Sequence, residues 1–225
     1  MTTILAMDTV GPSLSVALTR DGRLVYQCTQ QTGRTHSERL MPLVDAALGA
    51  ASLSPKQVDL FAVTRGPGSF TGVRIGVATA KALAHATDRP CVGVNALEAL
   101  ARAASLFPGI VCPLQDARAG QVYCAAFRGK ERILPDAALP LSDFLALLPA
   151  GVPCCFVGDG AAAHATALPA GVLVPPEHMA LDAVQVAAIA LERIGEAGDW
   201  RALLPFYLRA PQAERERAAR EAAHA

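Results

Sequence analysis

Apolar runs and polar breaks divide the first half of the chain into regular segments. Thr3–Asp8 is mostly apolar, as in a buried strand. Ser13–Thr19 alternates, with Leu14, Val16 and Leu18 on one face and Ser13, Ser15, Ala17 and Thr19 on the other. That is the two-residue period of a strand. Asp21-Gly22 is a tight hairpin signal leading into a third strand, Arg23–Thr29. The period then lengthens. Thr35-His36-Ser37-Glu38 has the spacing of a capping box. It opens a helix whose Leu40, Leu43, Val44, Ala47 and Leu48 form one stripe. Pro55 after Ser54 suits the start of a short second helix. A strand ending at Thr64, an amphipathic run from Val73 to Ala86 and a buried strand, Cys91–Val94, follow. Asn95-Ala96-Leu97-Glu98 caps a further helix that ends before Pro108-Gly109. Apart from the short Ser54 turn, the order is βββαβαβα.

The second half is less regular. Ile110–Leu114 and Gln121–Phe127 read as paired strands around Asp116-Ala117-Arg118-Ala119-Gly120. Leu141–Leu148 suits a short helix, Cys154–Val157 a strand ending in Gly158-Asp159-Gly160, and Ala161–Leu168 another helix. Asp182 caps a strong helix through Ile194, and Pro205–Arg209 is short and extended. The tail from Gln212 to Ala225 mixes Glu, Arg and Ala and reads as a solvated helix. No internal repeat is visible. Two lobes are expected, 1–105 and 106–225, with the helix at 182–195 a candidate to pack back onto the first.

Composition narrows the class. The chain has 225 residues, 52% hydrophobic and 18% charged, enough for a sizeable core. No apolar run approaches the roughly 18 residues of a membrane span. The start lacks a basic segment, and Asp8 cuts its apolar run short, so no signal peptide is expected. Formal net charge is zero. A protein that grips nucleic acid alone carries a basic surplus, so a role on RNA would borrow charge from a partner. The six cysteines form no C-x-x-C pair and lie mostly in apolar runs, which suits small buried hydrophobes in a reducing cytoplasm. No two of the five histidines are three to five apart, so no zinc-type pair exists.

Arg65-Gly66-Pro67-Gly68-Ser69-Phe70-Thr71-Gly72-Val73-Arg74-Ile75-Gly76 lies between a strand and a helix. Backbone N–H groups at such a junction can meet an anion or a partner. The alternative is a turn whose glycines supply positive φ and close strand–helix packing. A nucleotide P-loop is excluded, because Val73 and Arg74 follow Gly72 where lysine and a hydroxyl are required.

The strand order, with Asp8-Thr9 closing the first strand, resembles the actin-like ATPase (RNase H-like) superfamily. There the early aspartate positions a metal and the first hairpin grips phosphate. The segments Ile4–Thr9, His36–Pro42, Gly66–Gly76, Asp116-Ala117-Arg118 with Gln121-Val122-Tyr123, and Tyr207-Leu208-Arg209 are similar, in that order, to the TsaB (YeaZ) family. The resemblance spans almost the whole chain. It implies an α/β fold of two lobes, each a mixed sheet flanked by helices. It also implies a subunit needed to make N6-threonylcarbamoyladenosine in tRNA. That subunit is a paralogue of the catalytic TsaD and works through a complex that includes the ATPase TsaE, touching tRNA only indirectly. TsaD's metal site uses two histidines four apart; the corresponding positions here are Ala96 and Leu100. TsaD's second glycine-rich phosphate loop corresponds to Asp116-Ala117-Arg118-Ala119, where close phosphate approach would favour glycine.

The expected function is therefore a non-catalytic partner, cytoplasmic, without metal, cofactor or membrane, meeting ADP or ATP only in the complex. The alternative is an actin-like ATPase or kinase, or a glycoprotease-type metallopeptidase. Asp8, Gly158 and Gly160 are candidates for vestigial nucleotide contact; Asp8 could equally bond the Gly11–Ser13 turn. His36 reads as structural or interfacial. The helices at Leu40–Leu48 and Val73–Ala84 are expected to pair with TsaD, and with a second copy in the isolated protein. The candidate interface is His36, Leu40, Leu43, Val44, Ala47, Phe70, Val73, Arg74, Val77, Ala78 and Lys81.

Overall fold

The computed structural model describes residues 1–31, 35–169, 172–173 and 179–209. In the first sheet, β1 (Thr3–Asp8), β2 (Leu14–Arg20) and β3 (Arg23–Gln30) form an antiparallel meander. Then β4 (Leu60–Thr64) and β5 (Cys91–Val94) add in parallel beside β1, giving the order β3-β2-β1-β4-β5. The second sheet contains β6 (Ile110–Asp116), β7 (Gln121–Arg128), β8 (Glu131–Pro140), β9 (Cys154–Val157) and β10 (Val172–Leu173). Its order, β10-β9-β6-β7-β8, repeats the first sheet read from the opposite edge. Again a meander of three is followed by two parallel strands. This topological repeat has no counterpart in the residue pattern. The βββαβαβα order of the first lobe agrees with expectation.

Helices α1 (His36–Ala50) and α2 (Phe70–Thr87) cover one face of the first sheet, and α6 (Ala183–Glu192) covers the other. Between the sheets, α3 (Ala96–Ala103) packs against α6 and β6. On the far side of the second sheet lie α4 (Leu141–Ala146) and α5 (Asp159–Ala163). The main core runs through the first sheet and its helices to Val111, Ala125, Phe127 and Val157 on the second. A smaller core around Phe144 and Phe156 fills the far side.

The docking of α6 changes the reading of β2. Alternation suggests one polar, half-wet face, yet every residue from Leu14 to Thr19 is buried. The hydroxyl of Ser15 accepts the N–H of Ala183 at 3.0 Å and pairs with Thr29 at 2.8 Å. A buried hydroxyl without such partners would be costly. Here it fixes the start of α6, where Asp182 also accepts the N–H of Val184. Val186, Ala187, Ile189 and Ala190 are buried in consequence. Each large aliphatic side chain among them contributes about 1.5–3 kcal/mol.

Several boundaries differ from expectation. Thr35 begins α1 but makes no side-chain cap bond, so the capping box is not formed. The helix at Asp182 stops at Glu192, followed by a 3₁₀ turn at Ile194–Glu196. Ala161–Leu168 is not one helix: α5 ends at Ala163 and a 3₁₀ turn spans Ala165–Ala167. The strand β8 was not foreseen. It is a sheet edge carrying Pro135 and Pro140, positions at which a missing N–H is tolerated. The expected helix at Gln212–Ala225 lies outside the described residues.

Candidate functional site

A cleft of about 430 Å³ opens between the lobes. Its walls are the β1–β2 turn (Val10 to Pro12), the glycine segment (Gly68 to Thr71), the β6–β7 turn with Tyr123, then Asp159 and Tyr207–Arg209. Asp8, at the end of β1, is fully buried. Its Oδ1 accepts from the Thr64 hydroxyl and from the N–H of Val10, not from the Gly11–Ser13 turn. Among the described residues its Oδ2 has no partner. Burial raises its pKa from 3.8 to about 7, helped by the nearby charge of Asp159. Asp159, on the cleft wall, is raised to about 6, again chiefly by burial. Gln115, also lining the cleft, has a buried Oε1 with no donor among the described residues. Gln115 and Asp159 thus place a buried acceptor and a desolvated acid on the cleft wall, while Asp8 is not among the residues that line it. Among the described residues no three His, Cys, Asp or Glu side chains are grouped to hold a metal ion.

The glycines of the cleft wall serve close backbone approach. A Cβ on Gly72 would lie 2.0 Å from the carbonyl oxygen of Thr9, and one on Gly76 2.5 Å from the Thr9 hydroxyl. Thr9 in turn donates to the carbonyl of Gly72 at 2.7 Å. Gly68 and Gly66 stand likewise against Val10 and the carbonyl of Phe206. Of the two readings left open for this segment, close packing is the one with a visible cause. Gly158 and Gly160 are explained the same way. Their missing side chains make room for the β6 backbone, at 2.2 Å from the carbonyl of Leu114 and 2.8 Å from the carbonyl carbon of Gln115. This packing accounts for both being glycine.

The eleven residues named for a partner surface separate into two groups. Leu40, Leu43, Val44, Ala47, Val73 and Val77 are buried, because the stripe they form is the one laid on the sheet. Their place in a docking surface is corrected accordingly. Arg74 and Ala78 are exposed, and His36, Phe70 and Lys81 are half-buried. The ring of His36 donates from Nε2 to the carbonyl of Gly11 at 2.9 Å, pinning α1 to the β1–β2 turn. The outward face of the helix pair instead carries Met41, Pro42 and Ala46 of α1 with Ile75, Ala78 and Ala82 of α2. Met41 is 41% exposed. Basic and aromatic groups flank α2. Arg74 lies 3.9 Å over the ring of Phe70, and Lys81 sits 5.7 Å over Trp200.

Sequence reasoning missed Thr64 and Gln115, whose roles depend on contacts across the fold. Thr9 carried a usable signal: a hydroxyl immediately after the strand-end aspartate, opposite a glycine-rich helix start.

A family model described as tRNA N6-adenosine threonylcarbamoyltransferase, TsaD, matches residues 29–215. The Bacillus subtilis tRNA threonylcarbamoyladenosine biosynthesis protein TsaB is 34% identical over 222 residues, covering 94% of this chain and 96% of that protein. The chain belongs to the TsaB (YeaZ) family. In the solved structure of YeaZ from Pseudomonas aeruginosa the likeness extends to the whole fold, with a TM-score of 0.79 and 32% identity, over 92% of this chain and 100% of that one. Component A of the (R)-2-hydroxyglutaryl-CoA dehydratase of Acidaminococcus fermentans shares the fold alone, at a TM-score of 0.52 and 8% identity. The two-lobed α/β architecture is thus the actin-like one.

Proposed function

We propose that the chain serves tRNA threonylcarbamoyladenosine biosynthesis as a non-catalytic subunit. It docks the outward face of α1 and α2 on the catalytic paralogue TsaD and supports that enzyme's activity. Membership in the TsaB family carries the pathway. The non-catalytic part rests on one observation above others. Ala96 and Leu100, at the positions where the resemblance implies paired histidine ligands, are 0% and 2% exposed and packed into the core. A metal-dependent transfer or peptidase step has no ligand pair there. The docking surface is supported by the small and apolar residues on the outward helical face, whose burial on association would be favourable. The same face, left uncovered, would pair two copies of the isolated chain. TsaE joins through the complex, nucleotide enters only there, and the setting is cytoplasmic.

Val77 points into the sheet, so a charge there would test the fold. Ala78 is the informative position. Ala78→Glu is expected to leave the circular dichroism spectrum and melting temperature unchanged. It should weaken association with the paralogue by about 2–5 kcal/mol, because the carboxylate is desolvated without a partner. Reconstituted tRNA modification should fall with it. A folded variant that fails to bind the paralogue yet supports full modification would overturn the subunit reading.

A further inference from the structure

Two short motifs, Asp116-Ala117-Arg118 and Tyr207-Leu208-Arg209, are not used by the docking face, and the fold brings them together across the cleft. We propose that Tyr207–Arg209 is a clasp that ties the head of α2 in the first lobe to the β6–β7 turn of the second and so fixes the cleft. At the first lobe, the N–H of Phe206 donates to the carbonyl of Arg65 at 2.7 Å. The side chain that Gly66 lacks would stand 2.2 Å from the Phe206 carbonyl oxygen, so the strap lies tight on the glycine segment. The ring of Tyr207 stacks 4.6 Å from that of Phe70, and its hydroxyl accepts from Nε of Arg74 at 3.2 Å. At the second lobe, Nη1 of Arg209 donates to the carbonyl of Ala117 at 2.8 Å.

The turn that Arg209 holds is strained. Arg118 and Ala119 both have left-handed backbones, with φ of 64° and 54°, ahead of Gly120 at 72°. The Cβ of any residue but glycine opposes this conformation, so it persists where surroundings impose it. Inside the turn, Asp116 accepts the N–H of Arg118 at 2.8 Å and Ala117 donates to Gln121 at 3.0 Å. From outside, Arg209 holds the carbonyl of Ala117, and the carboxylate of Asp159 accepts the backbone N–H of Asp116. Because Tyr207 also orients Arg74 on the exposed side of α2, the clasp links the turn to the surface offered to the partner. That consequence rests on the docking reading above; the clasp itself does not.

Hydrogen–deuterium exchange on the isolated chain tests it. Arg209→Gln should speed exchange at the amides of Ala117 and Gln121 by about tenfold, the loss expected for one charged hydrogen bond. Amides of Leu5 and Ala62 in the first sheet should keep their rates. Ala119→Gly, which relieves left-handed strain, should return the turn amides of Arg209→Gln toward the slower rate. Unchanged exchange at Ala117 and Gln121 in folded Arg209→Gln would overturn the clasp. If that variant does not fold, Arg209→Met, which keeps the aliphatic stem but has no donor, should speed exchange at the same amides; the wild-type rate there would count equally against the proposal. Tyr207→Phe retains the ring stack but removes the hydroxyl that holds Nε of Arg74, and should weaken association with the paralogue a few-fold. Faster turn exchange in Arg209→Gln with undiminished affinity in Tyr207→Phe supports the clasp and removes its link to docking. No association even for the wild type removes the docking reading and leaves the exchange rates to decide the clasp.

Discussion

The cleft is faced by two turns built on opposite principles. The segment Gly66–Gly72 in the first lobe is dense. Its glycines exist because Thr9, Val10 and Phe206 press against them. The turn Asp116–Gln121 in the second lobe is open. A Cβ on Gly120 would meet nothing within 4 Å among the described residues, and the two residues before it carry side chains despite left-handed backbones. One turn is limited by space and the other by conformation. A phosphate cradle needs glycines that leave room for a ligand. The first turn gives that room to the protein's own backbone, and the second has one glycine, Gly120, behind two left-handed residues that carry side chains. The two turns therefore resist substitution for different reasons, one steric and one conformational.

The largest effect is expected where space is the limit. Gly72→Ala should cost more than about 4 kcal/mol, the range reached only by severe steric or core disruption, since the added carbon would overlap the Thr9 carbonyl. Chemical denaturation would measure it. A variant within 1 kcal/mol of the parent would show that α2 can retreat from β1, and the contrast between the turns would fail.

A smaller, pH-dependent effect separates Asp8 from the turns around it. Its pKa is raised on folding, so the folded state holds a proton that the unfolded chain has lost. Stability from this group is complete below pH 3.8 and declines as pH rises to about 7. A change from 3.8 to about 7 corresponds to about 4 kcal/mol at most. Asp8→Asn removes the ionisation while retaining an acceptor for Thr64. Its stability relative to the parent should climb between pH 4 and 7 and level off above that. A difference that stays flat across that range would mean that water or a cation reaches Oδ2 and holds the charge.

Much of the first lobe was legible because its signals are local: hairpin, cap and stripe each lie within a few residues. Asn95 accepts the N–H of Glu98 at 3.0 Å, as its cap sequence suggests. The second lobe hid β8, whose prolines and charges disguise an edge strand, and hid the topological repeat altogether. What the sequence could not convey was which stripe of α1 and α2 meets the sheet. The alanines of α2 permit either face, and the valines at 73 and 77 chose the core. Likewise Ser15 looks solvent-facing until α6, far along the chain, covers it. The motifs at 116–118 and 207–209 were visible as words, but their contact through Ala117 and Arg209 needed the fold.

The smallest effect belongs to the open turn and completes the contrast. Gly120→Ala meets no steric obstacle, so only its left-handed backbone opposes the change. That strain costs about 1–2 kcal/mol. Against it, alanine restricts the unfolded chain and recovers about 0.4–1 kcal/mol. The net loss should be about 1 kcal/mol, a fraction of that at Gly72. Gly129, also left-handed and open, should behave alike, because it closes the neighbouring β7–β8 hairpin without touching the cleft. Denaturation of the two variants side by side makes the comparison. Equal small losses would leave conformation as the whole cost. A loss at Gly120 several times that at Gly129 would mean that packing as well as conformation opposes the added carbon there, and the contrast with Gly72 would fail.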